Sequence, residues 1–418
     1  MIKTLTAAGP KEQVAQMALF GGLPAFAEAL HVGRPNVPEG AARAHLLDEI
    51  ADILDRKWLT NRGPVVCEFE RQIAYLTGTR HAIAVCNATQ GLQVAAQACG
   101  LTGEVIVPGF TFIATAHALS WIGLKPIFAD VEMVAHNLDP ARIERLITPR
   151  TSAILAAHLW GTPCQIEEIE ALARVHHLQV IYDAAHAFGC SHDGRMIGSF
   201  GRAEVFSFHA TKFINAGEGG AITTDDDKLA ARLRRMVSFG FDGYDHVVDL
   251  GTNAKLSEIA AALGLVSLAQ IEEIIAANRA NYRAYRAGLT GLPDLRLLPH
   301  AESEQCNYQY VVLEVDGAAL TRDQLLAVLW AEGVKARRYF YPGCHRVEPY
   351  RSSRAEAKSR SALPVTERLA STVLAFPTGT AVLPEDVARI CQIIEFALIH
   401  ADELKRKLPH TERPAALN

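Results

Sequence analysis

Residues 180–189, VIYDAAHAFG, decide how this chain reads. An apolar run closes on Asp183 and passes at once into small residues, as a buried strand does when it ends in a turn. Open α/β sheets place their ligands at such strand ends. A carboxylate there costs free energy unless a cation or a donor meets it. The protonated ring nitrogen of a cofactor would be such a partner, and a turn or helix-capping aspartate is the plainer alternative.

Working outward, apolar runs at 82–85, 105–107, 126–129, 153–157, 180–182, 205–208 and 221–223 alternate with helix candidates at 90–99, 113–122, 140–146 and 165–176. Runs apolar at consecutive positions suit strands buried on both faces of a mostly parallel sheet. The fold class is therefore α/β, with helices covering a central sheet. Beyond Asp225 the pattern changes to an amphipathic stretch at 228–237 and one long helical region at 255–285, then a turn-rich boundary at 288–293. A strand at 308–315, a helix at 322–331, a strand at 334–338 and helices at 363–371 and 384–403 follow, with 408–418 read as a loose tail. This divides the chain into an N-terminal extension (1–36), a large domain (37–290) and a smaller C-terminal α+β domain (291–418).

Composition bounds the chemistry. Of 418 residues 49% are hydrophobic and 21% charged, with a net charge of −5, which argues against disorder and against nucleic acid as a partner. No apolar run approaches the ~18–20 residues of a membrane span, and the N-terminal residues lack a secretory pattern. Eight scattered cysteines without a CxxC pair read as reduced thiols in the cytoplasm. Dinucleotide, Walker A, HExxH and G-x-S-x-G signatures are missing. Sixteen histidines show no ligand spacing with carboxylates, so no metal is expected.

Two further segments join the first. Residues 206–220, FSFHATKFINAGEGG, hold Lys212 among aromatic, small and apolar side chains. A partly desolvated lysine has the lowered pKa that Schiff-base chemistry needs, although a surface lysine in a Gly-rich loop would look much the same. Residues 84–91, AVCNATQG, run from a strand into a helix whose first N–H groups favour an anion, or simply form an Asn/Thr cap. Each segment alone is ambiguous. Together they specify a pyridoxal 5′-phosphate pocket, with a phosphate cradle, a ring-nitrogen carboxylate and a lysine for the aldehyde.

In this order and spacing, DAAHAFG, SFHATK and GEGG resemble the DegT/DnrJ/EryC1/StrS family of sugar-nucleotide aminotransferases, and the likeness runs from Trp58 to Gly343. The resemblance implies fold type I, as in aspartate aminotransferase, and matches Lys212 to the lysine that bonds the cofactor and shuttles protons. It likewise matches Asp183 to the ring-nitrogen carboxylate, His186 to a residue beside the ring, and Phe112 to the aromatic stacked on it. Ala88, Thr89 and Ser207 match the phosphate cup. Asn253 matches an asparagine reaching the phosphate from a partner subunit, which implies a homodimer with shared active sites. Lys255 stands where the family often has Arg. Arg338, Tyr339, Tyr341 and His345 fall in the segment lining the sugar-nucleotide entrance. The reaction implied takes an amino group from L-glutamate to a nucleotide-linked ketosugar, C-4 of a dTDP-4-keto-6-deoxyhexose being the version most resembled. C-3 or cyclitol amination, a sugar dehydratase (which carries His at the lysine position) and a non-catalytic relative are the alternatives.

Overall fold

A computed structural model describes residues 9–317, 319–353 and 362–407. Its centre is a seven-stranded sheet of β1 (His81–Val85), β2 (Glu104–Pro108), β3 (Lys125–Ala129), β4 (Thr151–Ala157), β5 (Gln179–Asp183), β6 (Ala203–Ser207) and β7 (Gly220–Thr224). The strands lie in the order β1-β7-β6-β5-β4-β2-β3, and β7 alone runs antiparallel to its neighbours. Every residue of β2 and β7 is buried, which is why the apolar runs lack alternation. Two apolar cores fill the sheet's faces, one around Phe69, Phe206 and Phe208 and the other around Leu92, Val105 and Ile222.

Helices α1 (Ala88–Ala98) and α2 (Ala114–Trp121) follow β1 and β2. Asn87 caps α1, its side chain accepting the Gln90 N–H at 2.8 Å. The helical region expected at 255–285 is two helices, α3 (Glu258–Ala269) and α4 (Ile271–Leu289), bent by 61°. Ser257 caps the first by accepting the Ala260 N–H. The bend lets α3 pack on the helices Gly40–Arg56 and Pro64–Thr77 while α4 packs on the far end of the chain. The buried Glu258 carboxylate fixes that contact by accepting the N–H groups of Val65 and Val66, each at 3.0 Å.

The smaller C-terminal region is α+β. A three-stranded antiparallel sheet of β8 (Leu295–Leu297), β9 (Val311–Val315) and β10 (Val373–Phe376) is covered by α5 (Arg322–Ala331) and α7 (Pro384–Ile399), with α6 (Pro364–Thr372) leading into β10. The expected strand at 334–338 is only Val334–Lys335, because its partner is the two-residue strand Leu30–His31 near the N-terminus. The expected helix at 384–403 breaks at His400, and the expected helix at 140–146 is a short α-turn followed by a 3-10 turn. The tail expected at 408–418 lies outside the described residues.

Two carboxylates tie these parts together. Asp130, just after β3, accepts the N–H of Val365 at 3.1 Å and both the N–H and the hydroxyl of Thr366 at 2.8 Å, so it caps α6 across the junction. Glu332, just after α5, accepts the N–H groups of Ala18 and Ala25 and holds the N-terminal residues against the C-terminal core. Between the large sheet and the C-terminal region, Phe110, Trp160, Tyr310 and Phe340 form a fourth apolar cluster, and the site lies beside it.

Candidate active site

Strands β1, β5 and β6 end at one edge of the sheet and β7 begins there, Gly220 pairing with both Val85 and Ser207. Of the residues singled out in the sequence, Asp183, Lys212, Ala88, Thr89 and Ser207 lie at that edge. Asp183 closes β5 and is buried; it accepts the Ala185 N–H at 3.1 Å and the Thr115 hydroxyl at 2.7 Å. Burial pushes its carboxyl above the usual range, against the pull of Thr115, the Ala185 N–H and the Lys212 charge.

Lys212 lies in the loop between β6 and β7, with its Nζ donating to the Tyr310 phenolic oxygen at 2.9 Å. Burial pushes the ammonium down to about 8, with the Asp183 charge opposing. A useful fraction of Lys212 is then free amine near neutral pH, the form that attacks an aldehyde. His186 packs 4.2 Å from the Tyr310 ring and 5.7 Å from Trp160, measured between centroids. Burial, and then the Lys212 charge, hold it well below its ordinary value, so it is neutral. Its Nδ1 accepts the Trp160 N–H at 3.3 Å, which leaves the proton on Nε2.

The anion cradle adjoins this group. With Asn87 as cap, the N–H groups of Ala88 and Thr89 have no carbonyl one turn back. Ser207 ends β6 opposite Gly220. A methyl on Gly220 would sit 2.8 Å from the Ala88 nitrogen and 2.7 Å from the Phe206 carbonyl oxygen, so only glycine lets the three backbones converge here. Backbone N–H groups, a hydroxyl and a helix dipole suit a phosphate ester. A buried carboxylate, a lysine poised near neutrality and this cradle fit pyridoxal phosphate at its ring nitrogen, aldehyde and phosphate respectively.

Phe112 is 55% exposed, its ring facing a cavity of about 1020 Å³ that Arg338, Tyr339 and Tyr341 also line. Arg338 lies over the Tyr341 ring at 4.6 Å and within 3.4 Å of Asp323. His345 is not among the residues that line this cavity. The chain reverses at Gly343 (φ +92), which turns the His345 ring inward to Glu367 at 3.3 Å, where it is 1% exposed. Asn253 is exposed, bridged to Ser238, and precedes Ala254, whose carbonyl accepts the Cys86 N–H at 2.8 Å. Lys255 lies over the Phe239 ring at 4.4 Å.

Sequence reasoning missed Tyr310, Thr115 and Trp160. Thr115 was within reach, since it stands three residues after Phe112 at the start of an expected helix. Tyr310 sits just before β9 in a stretch with no motif, remote in sequence from Lys212, His186 and Trp160, which it meets. Trp160 adopts a left-handed backbone (φ 62), a strain that no pattern of residue types announces.

Comparison with known proteins bears on this geometry. The model of the DegT/DnrJ/EryC1/StrS aminotransferase family matches residues 41–395. The chain is 37% identical over 374 residues to dTDP-4-amino-4,6-dideoxy-D-glucose transaminase of Escherichia coli, covering 88% of this chain and 98% of that one. It is 35% identical over 359 residues to GDP-perosamine synthase of Caulobacter vibrioides, covering 84% and 95%. Among solved structures, DesI in the presence of its TDP-sugar product superposes with a TM-score of 0.89 at 49% identity, covering 94% of this chain and 99% of that one.

Proposed function

The chain belongs to the DegT/DnrJ/EryC1/StrS aminotransferase family, and on that premise we propose that it moves an amino group from L-glutamate to C-4 of a dTDP-linked 4-keto-6-deoxyhexose. The observation that carries the reading is the buried Lys212 in the loop at the sheet edge where Asp183 and the anion cradle also lie, its Nζ donating to the Tyr310 phenol. The relative from Escherichia coli is named for a 4-amino sugar on dTDP, and the DesI structure for a TDP-sugar product; both support the choice of carbon and nucleotide.

When bound, pyridoxal phosphate supplies the electron sink that stabilises negative charge at the substrate carbon. The chain's own residues do the rest. Lys212 Nζ would hold the cofactor at its aldehyde and would serve as the proton carrier when free. Asp183, its carboxylate aligned by Thr115 and the Ala185 N–H, would keep the ring nitrogen protonated. Ala88, Thr89 and Ser207 would hold the phosphate, and Phe112 and His186 are the residues that would meet the ring. Tyr310 receives the lysine whenever it is free. Arg338, Tyr339 and Tyr341 meet the sugar nucleotide in the adjoining cavity.

The working unit in this reading is a cytoplasmic homodimer, with Asn253 completing the partner's phosphate site. The loop leading to Asn253 exposes Phe239, Phe241, Tyr244 and Leu250, an apolar patch that a second copy would cover. Lys212, where a dehydratase would carry histidine, favours amino transfer. The test is incubation with L-glutamate and a panel of ketosugar nucleotides, locating the new C–N bond by NMR. A 4-amino product on dTDP supports the proposal, and a 3-amino product or a deoxygenated sugar overturns it.

A further inference from the structure

Residues 30–36 run from the cavity wall to the loop that carries Lys212. Leu30–His31 pairs in parallel with Val334–Lys335, the strand that leads directly into the cavity wall, and His31 and Lys335 both line that cavity. From there the chain crosses to the lysine loop. Gly33 (φ +71) lies flat against Thr211, the residue before Lys212; a methyl on it would come within 2.9 Å of the Thr211 Cβ and 3.1 Å of its carbonyl oxygen. Asn36 then engages the other side of the lysine. Its Nδ2 donates to the Phe213 carbonyl at 2.9 Å, and its own carbonyl accepts from Asn215 Nδ2 at 2.9 Å. Its Oδ1 accepts the hydroxyl of Thr380, from the C-terminal region, at 2.8 Å.

The need for asparagine follows from these bonds. One short side chain has to donate to a carbonyl and accept from a hydroxyl in opposite directions, which an amide does and a carboxylate cannot. The loop has internal bonds of its own, from the N–H groups of Ala210, Lys212 and Ala216 to the carbonyls of Gly217, His209 and Phe208. Those bonds fix its neck and the lysine's own N–H. Just past the lysine, the Phe213 carbonyl is held by the Asn36 side chain, the Asn215 side-chain amide by the Asn36 backbone carbonyl, and the Asn215 backbone N–H by the Ser267 hydroxyl, which accepts it at 3.1 Å. A group that has to reach two different carbons in turn depends on the stiffness of the backbone on both sides of it.

We infer that Asn36 is a positioning residue for Lys212, and that residues 30–36 are a strap joining the substrate cavity's wall to the lysine loop. The inference rests on the role given to Lys212 above, and the experiment separates the two. Full-length enzyme loaded with pyridoxal phosphate is compared with N36A, N36D and T380V, measuring kcat and KM for each substrate, the pH midpoint of the visible absorption band, and Tm. N36A and N36D should lower kcat by about tenfold or more in both half-reactions, since the same lysine serves both. They should also move the pH midpoint, and leave KM for the nucleotide sugar near the wild-type value. T380V, which removes only the tie to the C-terminal region, should show a smaller change of the same kind. Wild-type kcat and midpoint in both Asn36 variants would overturn the strap, as would a lower Tm with the midpoint unmoved. A wild-type protein showing no visible band with added cofactor would instead overturn the role of Lys212.

Discussion

The amine of Lys212 donates to the phenolic oxygen of Tyr310 at 2.9 Å, joining the loop between β6 and β7 to a residue that leads into β9 of the C-terminal region. The phenol oxygen accepts, so the bond favours the charged ammonium and offsets part of the burial that lowers its pKa. Tyr310→Phe removes the acceptor. The Lys212 midpoint should then fall below its wild-type value, since the ammonium loses an acceptor. The check is the pH dependence of the rate at which cofactor-free protein condenses with pyridoxal phosphate. In the wild type that rate should drop about tenfold per unit below pH 8 and level off above it; in the variant the whole profile moves to lower pH.

Asp183 acts on the same lysine through its charge, so Asp183→Asn should move that profile in the same direction. It differs from Tyr310→Phe in the loaded enzyme. Without a carboxylate to keep the ring nitrogen protonated, kcat should fall by at least ~100-fold while the visible band remains. A variant that keeps the band and near wild-type kcat would remove Asp183 from the ring.

Gly220→Ala tests the cradle. The added methyl meets backbone atoms of Ala88 and Phe206, which cannot swing away as a side chain could. The expected cost is about 1–3 kcal/mol of stability, as for overpacking elsewhere. Because the strain falls on the first N–H of α1, cofactor affinity should weaken as well, read by titrating the visible band. Unaltered affinity would place the phosphate away from this helix.

The large sheet was legible because it is buried on both faces, so apolar runs at 82–85 or 221–223 could hardly be anything else. That β7 runs antiparallel was not, since residue types do not encode strand direction. Lys212 and Asp183 stood out because each is a charged residue in apolar surroundings, a local anomaly. Tyr310 and Asn36 did not, because a tyrosine before a strand and an asparagine in a loop are ordinary until the fold brings them to the lysine loop. His345 shares a segment with Arg338 and Tyr341, which line the cavity, but beyond Gly343 its own ring meets Glu367, a pairing that no motif in the sequence announces.

The junction between the two regions has its own test. Asp130→Ala leaves the N–H groups of Val365 and Thr366 at the start of α6 without their acceptor. Loss of a charged cap on this scale should cost about 2–3 kcal/mol in urea unfolding. Since Asp130 touches neither Lys212 nor the cradle, the Lys212 midpoint should stay where it is. A shift of that midpoint would mean that the junction, and not the local pocket, sets the lysine's pKa.

In the proposed reaction Lys212 carries an amino transfer from L-glutamate. The most direct measurement adds L-glutamate to the cofactor-loaded wild type and to Lys212→Ala, following the visible band and 2-oxoglutarate together. The account predicts that the wild-type band disappears as one equivalent of 2-oxoglutarate forms per site, and that the variant releases essentially none. A wild type whose band persists without 2-oxoglutarate, or a Lys212→Ala protein that forms it at the wild-type rate, would contradict the account.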